Sequence, residues 1–234
     1  MTVVRRVLTW TWQLALLVLL GVLAVQLWFL GWIAYWKYEN PRETAFMERE
    51  LDRLQDKNAQ ARLRHQWVAY ERISVHLKRA VVTSEDARFV EHEGVDWDAV
   101  AKAYEENMKR GRPAKGGSTI SQQLAKNLFL SSEKSYVRKA QELVITTMLE
   151  WMWDKRRILE VYLNVVEWGE GVFGAEAAAR HYYGVGAHQL GAEQAARLAA
   201  FLPSPKRYGR IRSGRYLDAR TAAILRWMPS AQIP

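Results

Sequence analysis

Apolar residues crowd one end of the chain and recur at helical spacing through the rest. From Val7 to Trp36, 30 consecutive residues carry no charge, with Leu14, Leu16, Leu17, Val18, Leu19, Leu20, Val22, Leu23, Val25 and Leu27 at their centre. About 20 such residues cross the hydrocarbon core of a bilayer, so the run predicts a transmembrane helix with surplus for tilt. Trp10 and Trp12 sit toward one edge, and Trp28, Trp32, Tyr35 and Trp36 toward the other, where aromatic rings settle at headgroup depth. A cleaved signal peptide has a shorter apolar region of about 7–15 residues, so a retained anchor is expected. Arg5 and Arg6 precede the span while Lys37, Arg42, Arg49 and Arg53 follow it, so the Lys and Arg balance chooses no orientation.

Residues 37–67 mix charges densely with few large apolar side chains and predict a solvated linker or helical stalk. Beyond it, Leu77 and Val81, Val100 and Tyr104, Ile120, Leu124 and Leu128, Ala140, Val144 and Met148, and Ile158 and Tyr162 repeat with helical period. No alternating strand run interrupts them. One mainly α domain is expected over residues 68–234, large enough for its own core, behind a tail over 1–6 and a span over 7–36. The 34 Lys and Arg against 25 Asp and Glu give a net charge of +9, which suits nucleic acid, an anionic membrane or a phosphorylated substrate without choosing among them. The lack of Cys excludes thiol nucleophiles, thiolate metal sites and disulfides.

Three segments hold candidate chemistry. If the helix through Leu77 and Val81 continues, Glu85 and then Phe89 take the next positions of its apolar stripe. Desolvation there disfavours the ionised carboxylate, which suits a general base or acid, although Ser84, Glu85 and Asp86 would equally mark a helix boundary. His92 has no second His at i+4 and reads first as a hydrogen-bonded structural residue. Next, Gly116 and Gly117 followed by Ser118, Thr119 and an apolar-periodic run predict a loop entering a helix, with Thr119 and Gln122 as a capping box. Backbone donors at that start favour anions and Lys126 adds a full charge two turns along, yet a capped helix with solvated Gln and Lys accounts for the pattern as well. Last, the helix after Val137 is apolar nearly all round, through Leu143, Val144, Ile145, Met148, Leu149, Trp151 and Met152, and is expected to be central and buried. Glu142 then has Arg138 at i−4 and Lys139 at i−3 as company, an ion pair that is structural or catalytic on equal grounds. Two separated carboxylates with a cluster of bases suit sugar transfer from a pyrophosphate.

The segments Glu85-Asp86-x-x-Phe89-x-x-His92-x-Gly94, Gly116-Gly117-Ser118-Thr119-Ile120-x-Gln122-Gln123-Leu124-x-Lys126-Asn127, Arg138-Lys139-x-x-Glu142 and Lys155-x-x-Ile158-Leu159-Glu160-x-Tyr162-Leu163-Asn164 follow in fixed order. In that order and spacing the chain resembles the peptidoglycan glycosyltransferases, glycosyltransferase family 51, over roughly Ile73 to Pro205. No penicillin-binding transpeptidase region follows, so the resemblance is to the monofunctional members. It implies a lysozyme-like, bilobal helical fold around a cleft, and an enzyme that polymerises lipid II onto a lipid-linked glycan chain with inversion to a β-1,4 bond and release of undecaprenyl pyrophosphate.

By motif position, Glu85 corresponds to the general base for the acceptor 4-hydroxyl. Glu142 corresponds to the second carboxylate, which assists the donor pyrophosphate directly or through a divalent metal such as Mg or Mn; no obligatory cofactor is expected. Asp86, Phe89, His92, Ser118, Thr119, Gln122, Gln123, Lys126, Asn127, Arg138 and Lys139 map to substrate-holding positions. Lys134 stands where the family often has Arg, keeping the charge without the bidentate fork. The implied partners are lipid II, the growing glycan, inner-membrane lipids and other cell-wall synthases, not nucleic acid, and the implied place is the inner membrane with the domain in the periplasm. The family also has a membrane-dipping segment between its first two motifs. Here Trp97, Val100, Tyr104 and Met108, near Lys102, Lys109, Arg110 and Arg112, suit shallow insertion into an anionic leaflet or ordinary core packing. Two rival functions share these features: a lysozyme-like enzyme that cleaves peptidoglycan, and a catalytically silent scaffold for wall synthesis. The first gives no reason for Lys126, Arg138 and Lys139 to converge.

Overall fold

A computed structural model describes residues 2–110, 117–133 and 135–234. The chain forms two compact units, Met1–Glu39 and Asn40–Pro234. The first is a single helix, α1 (Thr2–Trp36), in which Leu8–Trp36 is long and apolar enough to cross a membrane.

The second unit runs through α2 (Ala45–Gln55), β1 (Arg64–His65), α3 (Val75–Glu85), α4 (Trp97–Arg110), α5 (Ile120–Phe129), α6 (Tyr136–Met152) and α7 (Lys155–Val165). It continues through β2 (Glu167–Gly169), β3 (Val172–Phe173), α8 (Ala175–Tyr183), α9 (Ala192–Phe201), α10 (Pro205–Ile211) and α11 (Arg215–Trp227). The strands form one small sheet in the order β1-β3-β2, with Arg64 opposite Val172 in the parallel pair. Strands of two or three residues are too short to leave an alternating pattern, so the mainly α expectation holds without having foreseen them. The core lies where α9 packs on α3 and α11, through Leu77, Val81 and Leu198, and around the fully buried Tyr162 and Trp168.

Two expectations need correction. The stretch read as a solvated stalk over 37–67 belongs in large part to the second unit. Thr44 caps α2 by accepting the Met47 amide at 3.2 Å, Met47 and Glu50 are buried, and the helix packs on α5. Its inward face is narrow, because one acid occupies a buried position whose charge is met by Arg53 and Lys206. The central helix, moreover, is α5 and not α6. α5 buries Ile120, Ser121, Gln122, Leu124, Ala125, Asn127 and Leu128, and packs against α2, α6 and α7. α6 buries Glu142, Ile145, Thr146 and Leu149 but leaves Tyr136, Val137, Val144 and Trp151 exposed. The stripe on α4 also points outward, with Trp97, Tyr104 and Met108 each about two-thirds exposed or more, at 70%, 65% and 67%. Uniform hydrophobicity marks a helix for an apolar environment, and a lipid surface supplies one as well as a protein core does.

Beneath α2, Glu50, Arg53, Glu170, Lys206 and Glu167 share one charge cluster. Glu167 is its misfit. Burial pushes its carboxyl up to about 7 against the pull of Lys206, with the Glu50 charge adding to the rise. Its Oε1 accepts no hydrogen bond, and Lys206 Nζ stays 3.8 Å away. Because the folded chain favours the protonated form, the stability this group lends is complete below the unfolded value of 4.5 and is lost as pH rises through about 7. Glu167→Gln is therefore expected to stabilise the domain by about 2 kcal/mol at pH 8 and to change little at pH 4. Thermal melts at the two pH values check it, and a variant that melts below the parent at pH 8 refutes it.

Candidate active site

α3 ends at Glu85, so Phe89 does not continue the stripe as expected; it follows in a turn and is fully buried. The stripe Leu77–Val81–Glu85 nevertheless carries the carboxylate inward, where its side chain is 10% exposed. Donors converge on both of its oxygens. Ser84 Oγ donates to Oε1 at 2.8 Å, Arg220 Nη2 to the same oxygen at 3.3 Å, and Gln123 Nε2 to Oε2 at 3.2 Å. These contacts suit the deprotonated group, which is acceptor only. Tyr162 fixes the orientation of the Gln123 amide by donating to its Oε1 at 2.9 Å. Burial, and then the negative charges of Glu85 and Asp86, push the Tyr162 phenol well up, so it remains a donor at neutral pH.

The segment after Glu85 is stapled to the start of α5. Asp86 Oδ2 accepts the Ile120 amide at 3.0 Å while its Oδ1 accepts from His92 Nε2 at 2.9 Å. Thr119 Oγ1 donates to the Gly94 carbonyl at 2.5 Å and completes the expected capping box with Gln122. Gly94 has φ +89°, and a Cβ there would meet Thr146 Cγ2 at 2.8 Å, so both backbone and space call for glycine. Asp86, Thr119 and Gln122 thus engage polar groups with the protein, His92 does so through Nε2 alone, its buried Nδ1 having no hydrogen-bond partner, and Phe89 lies in the core under Lys155 Nζ, 4.7 Å from its ring centroid. These contacts fix the segment after Glu85 against the start of α5, at positions the resemblance assigns to substrate holding.

One turn along α5, about 4.5 Å of helix rise beyond Gln123, Lys126 meets a second group of charges. Glu142 opens the inward stripe of α6, with Ile145, Thr146 and Leu149 following it. Arg138 Nη1 donates to its Oε2 at 2.5 Å, and Lys139 Nζ donates to Oε1. Lys139 also reaches Ser118 Oγ at 3.4 Å. Burial holds the Lys126 ammonium below the ordinary lysine range; Glu142 opposes that shift, and Arg138 and Lys139 reinforce it. The Phe46 ring lies 5.6 Å from Lys126 Nζ. Three cations around one carboxylate leave a surplus of positive charge, which fits a multiply charged anion. Asn127, the next residue of α5, is buried. Lys134 and residues 111–116, including Arg112 and Gly116, lie outside the described residues.

The donor set does not fit a protein-built divalent-metal site. Both Glu142 oxygens are taken by cations, and among the described residues no three His, Asp or Glu side chains gather to hold an ion.

Arg220 was not foreseen. It comes from α11, 135 residues from Glu85, and also donates to Ser84 Oγ at 2.9 Å. A signal was present: Leu217, Thr221 and Ile224 are the buried residues of α11, and Arg220 sits between them at i+3 and i−4, a cation on an inward face.

A mainly helical, lysozyme-like domain that sets one carboxylate among hydrogen-bond donors and another among cations, both against the same central helix, defines an enzyme of glycosyl transfer. The chain belongs to the transglycosylase family, whose model, described as Transglycosylase, matches residues 51–229. It is similar to a biosynthetic peptidoglycan transglycosylase of Dechloromonas aromatica (strain RCB), at 59% identity over 95% of this chain and 96% of the relative. Proteins of the same name from Herminiimonas arsenicoxydans and Janthinobacterium sp. (strain Marseille) are 58% and 57% identical over the whole of both chains.

Proposed function

We propose that the chain polymerises lipid II into β-1,4-linked glycan strands during cell-wall synthesis. The observation that carries this reading is the pairing along α5 of Glu85, held by Gln123, with the Glu142, Arg138 and Lys139 set that Lys126 faces. Glu85 takes the proton of the acceptor 4-hydroxyl as its oxygen attacks the anomeric carbon of the donor sugar from the opposite face. The bond to the pyrophosphate breaks as the new bond forms, which inverts an α link to β. Lys126, Arg138 and Lys139 neutralise the charge that collects on the departing undecaprenyl pyrophosphate. Because the protein's own cations do this, an obligatory metal is not part of the reading.

The membrane completes it. α1 anchors the chain in the inner membrane with its start in the cytoplasm, and the catalytic unit works in the periplasm, where lipid II is presented. Trp97, Tyr104 and Met108 of α4, with Tyr136, Val137, Val144 and Trp151 of α6, supply exposed apolar and aromatic surface suited to the headgroup boundary. The test is incubation of the purified full chain with labelled lipid II, with and without a chelator. The expected result is polymer that a muramidase digests, formed in both conditions. No polymer, or release of soluble fragments from purified cell wall instead, rejects it.

A further inference from the structure

Away from the catalytic carboxylates, three basic side chains converge from three elements: Arg64 of β1, His181 in the last turn of α8, and Arg212 at the end of α10. We propose that they form a binding site for a phosphate group. Arg64 Nη1 faces His181 Nδ1, and Arg212 Nη2 faces Nε2 at 3.4 Å. A neutral imidazole accepts at one nitrogen and carries a hydrogen on the other, so one of these contacts sets donor against donor. An oxyanion that draws the three side chains apart and accepts from each of them resolves the conflict.

The surroundings do not supply that anion. Neither guanidinium has a carboxylate partner among the described residues, whereas Arg180, next to His181, pairs with Glu176, and Arg197 pairs with Asp218. No Asp or Glu occurs between Glu193 and Asp218, a stretch that holds Arg197, Lys206, Arg207, Arg210, Arg212 and Arg215. Arg212 is also held in place. It has φ 59°, alone among the described non-glycine residues in being positive, its Nε donates to the Gly209 carbonyl at 3.2 Å, and its guanidinium lies 5.2 Å from the Tyr182 ring centroid. The left-handed turn is the C-cap of α10, where the Arg212 amide donates to the Tyr208 carbonyl at 2.8 Å, so the end of the helix fixes the backbone from which this side chain reaches. Donors arriving from three directions suit a tetrahedral phosphate better than a flat carboxylate with two oxygens.

Burial, then the charges of Arg64 and Arg212, hold the His181 imidazole below its ordinary range, which favours the neutral form. The charged or titratable groups in contact with it are Arg64, Arg212 and Tyr182, whose phenol burial pushes up to about 12. A bound phosphate would favour the imidazolium and gain its third donor.

The test uses the full chain in non-ionic micelles with carbon-13 at histidine Cε1, the His181 signal being the one lost in His181→Asn. Inorganic phosphate is titrated against sodium chloride at equal ionic strength. Expected are a saturable shift of the His181 signal with phosphate only, a titration midpoint that rises as phosphate binds, and affinity about tenfold or more weaker in Arg64→Gln/Arg212→Gln. Equal responses to the two salts overturn the proposal, and that comparison needs no variant to fold. An undiminished phosphate response in the double variant overturns it too. Micelles doped with phosphatidylglycerol in phosphate-free buffer separate the sources. The same shift there assigns a lipid headgroup, and its absence beside an intact response to free phosphate assigns a soluble phosphate.

Discussion

Glu85→Gln is expected to lower the rate of lipid II polymerisation by about 10²- to 10⁴-fold, the usual contribution of a positioned general base. The change keeps the shape of the side chain and removes its basicity. Ser84 and Arg220 can still donate to the amide oxygen, but the new amide nitrogen faces Gln123 Nε2, a donor against a donor. That mismatch costs about 1–3 kcal/mol, so the variant should fold with a modestly lower Tm. Arg220→Ala should act on the same step through Glu85 and cost less, about tenfold in kcat with little change in KM, since Arg220 orients the base without touching sugar. All three Arg220 contacts here run through one nitrogen, Nη2, so lysine can reproduce part of them and Arg220→Lys should recover activity. Parental turnover by Glu85→Gln would remove the base from Glu85. An Arg220→Ala effect confined to KM would make that residue a binding group.

The stripe of α3 made the inward position of Glu85 legible from spacing, while the same residues equally marked the helix boundary, and α3 does end at Glu85. The Arg138, Lys139 and Glu142 contacts were legible for the same reason: i−4 and i−3 neighbours on a helix must meet. What spacing does not carry is which helices meet. Asp86 accepting from Ile120, Thr119 donating to Gly94 and Gln123 donating to Glu85 are tertiary contacts, and periodicity along one helix gives no sign of them. Arg220 was hidden by distance along the chain, not by a weak local pattern. α6 was misplaced because hydropathy does not tell which of a helix's apolar residues pack inward, and Tyr136, Val137, Val144 and Trp151 do not. α2 was underrated because its charges hid Met47, Leu51 and Leu54, which recur at i, i+4 and i+7.

Glu142→Gln should lower kcat/KM by about 10²- to 10³-fold, the range seen when a group that arranges transition-state charge is lost. Before substrate arrives, Glu142 holds Arg138 on one oxygen and Lys139 on the other, its side chain 4% exposed and theirs 17% and 40%. The carboxylate thereby stores two cations in position without letting them repel each other or Lys126. Glutamine removes the charge and turns one acceptor into a donor facing a cation, so the cations swing toward water and the pyrophosphate meets a disordered set. Breaking a fully buried pair costs about 3–5 kcal/mol. Here the exposed ends of Arg138 and Lys139 can rehydrate, so a stability loss of about 1–3 kcal/mol is expected. Adding Lys139→Gln separates the two effects, because it discards the surplus charge without restoring the carboxylate. The double variant should regain most of the lost Tm and none of the lost activity. Recovery of both would reduce Glu142 to a neutraliser of its neighbours and shift the departure of the pyrophosphate onto Lys126 and Arg138 alone.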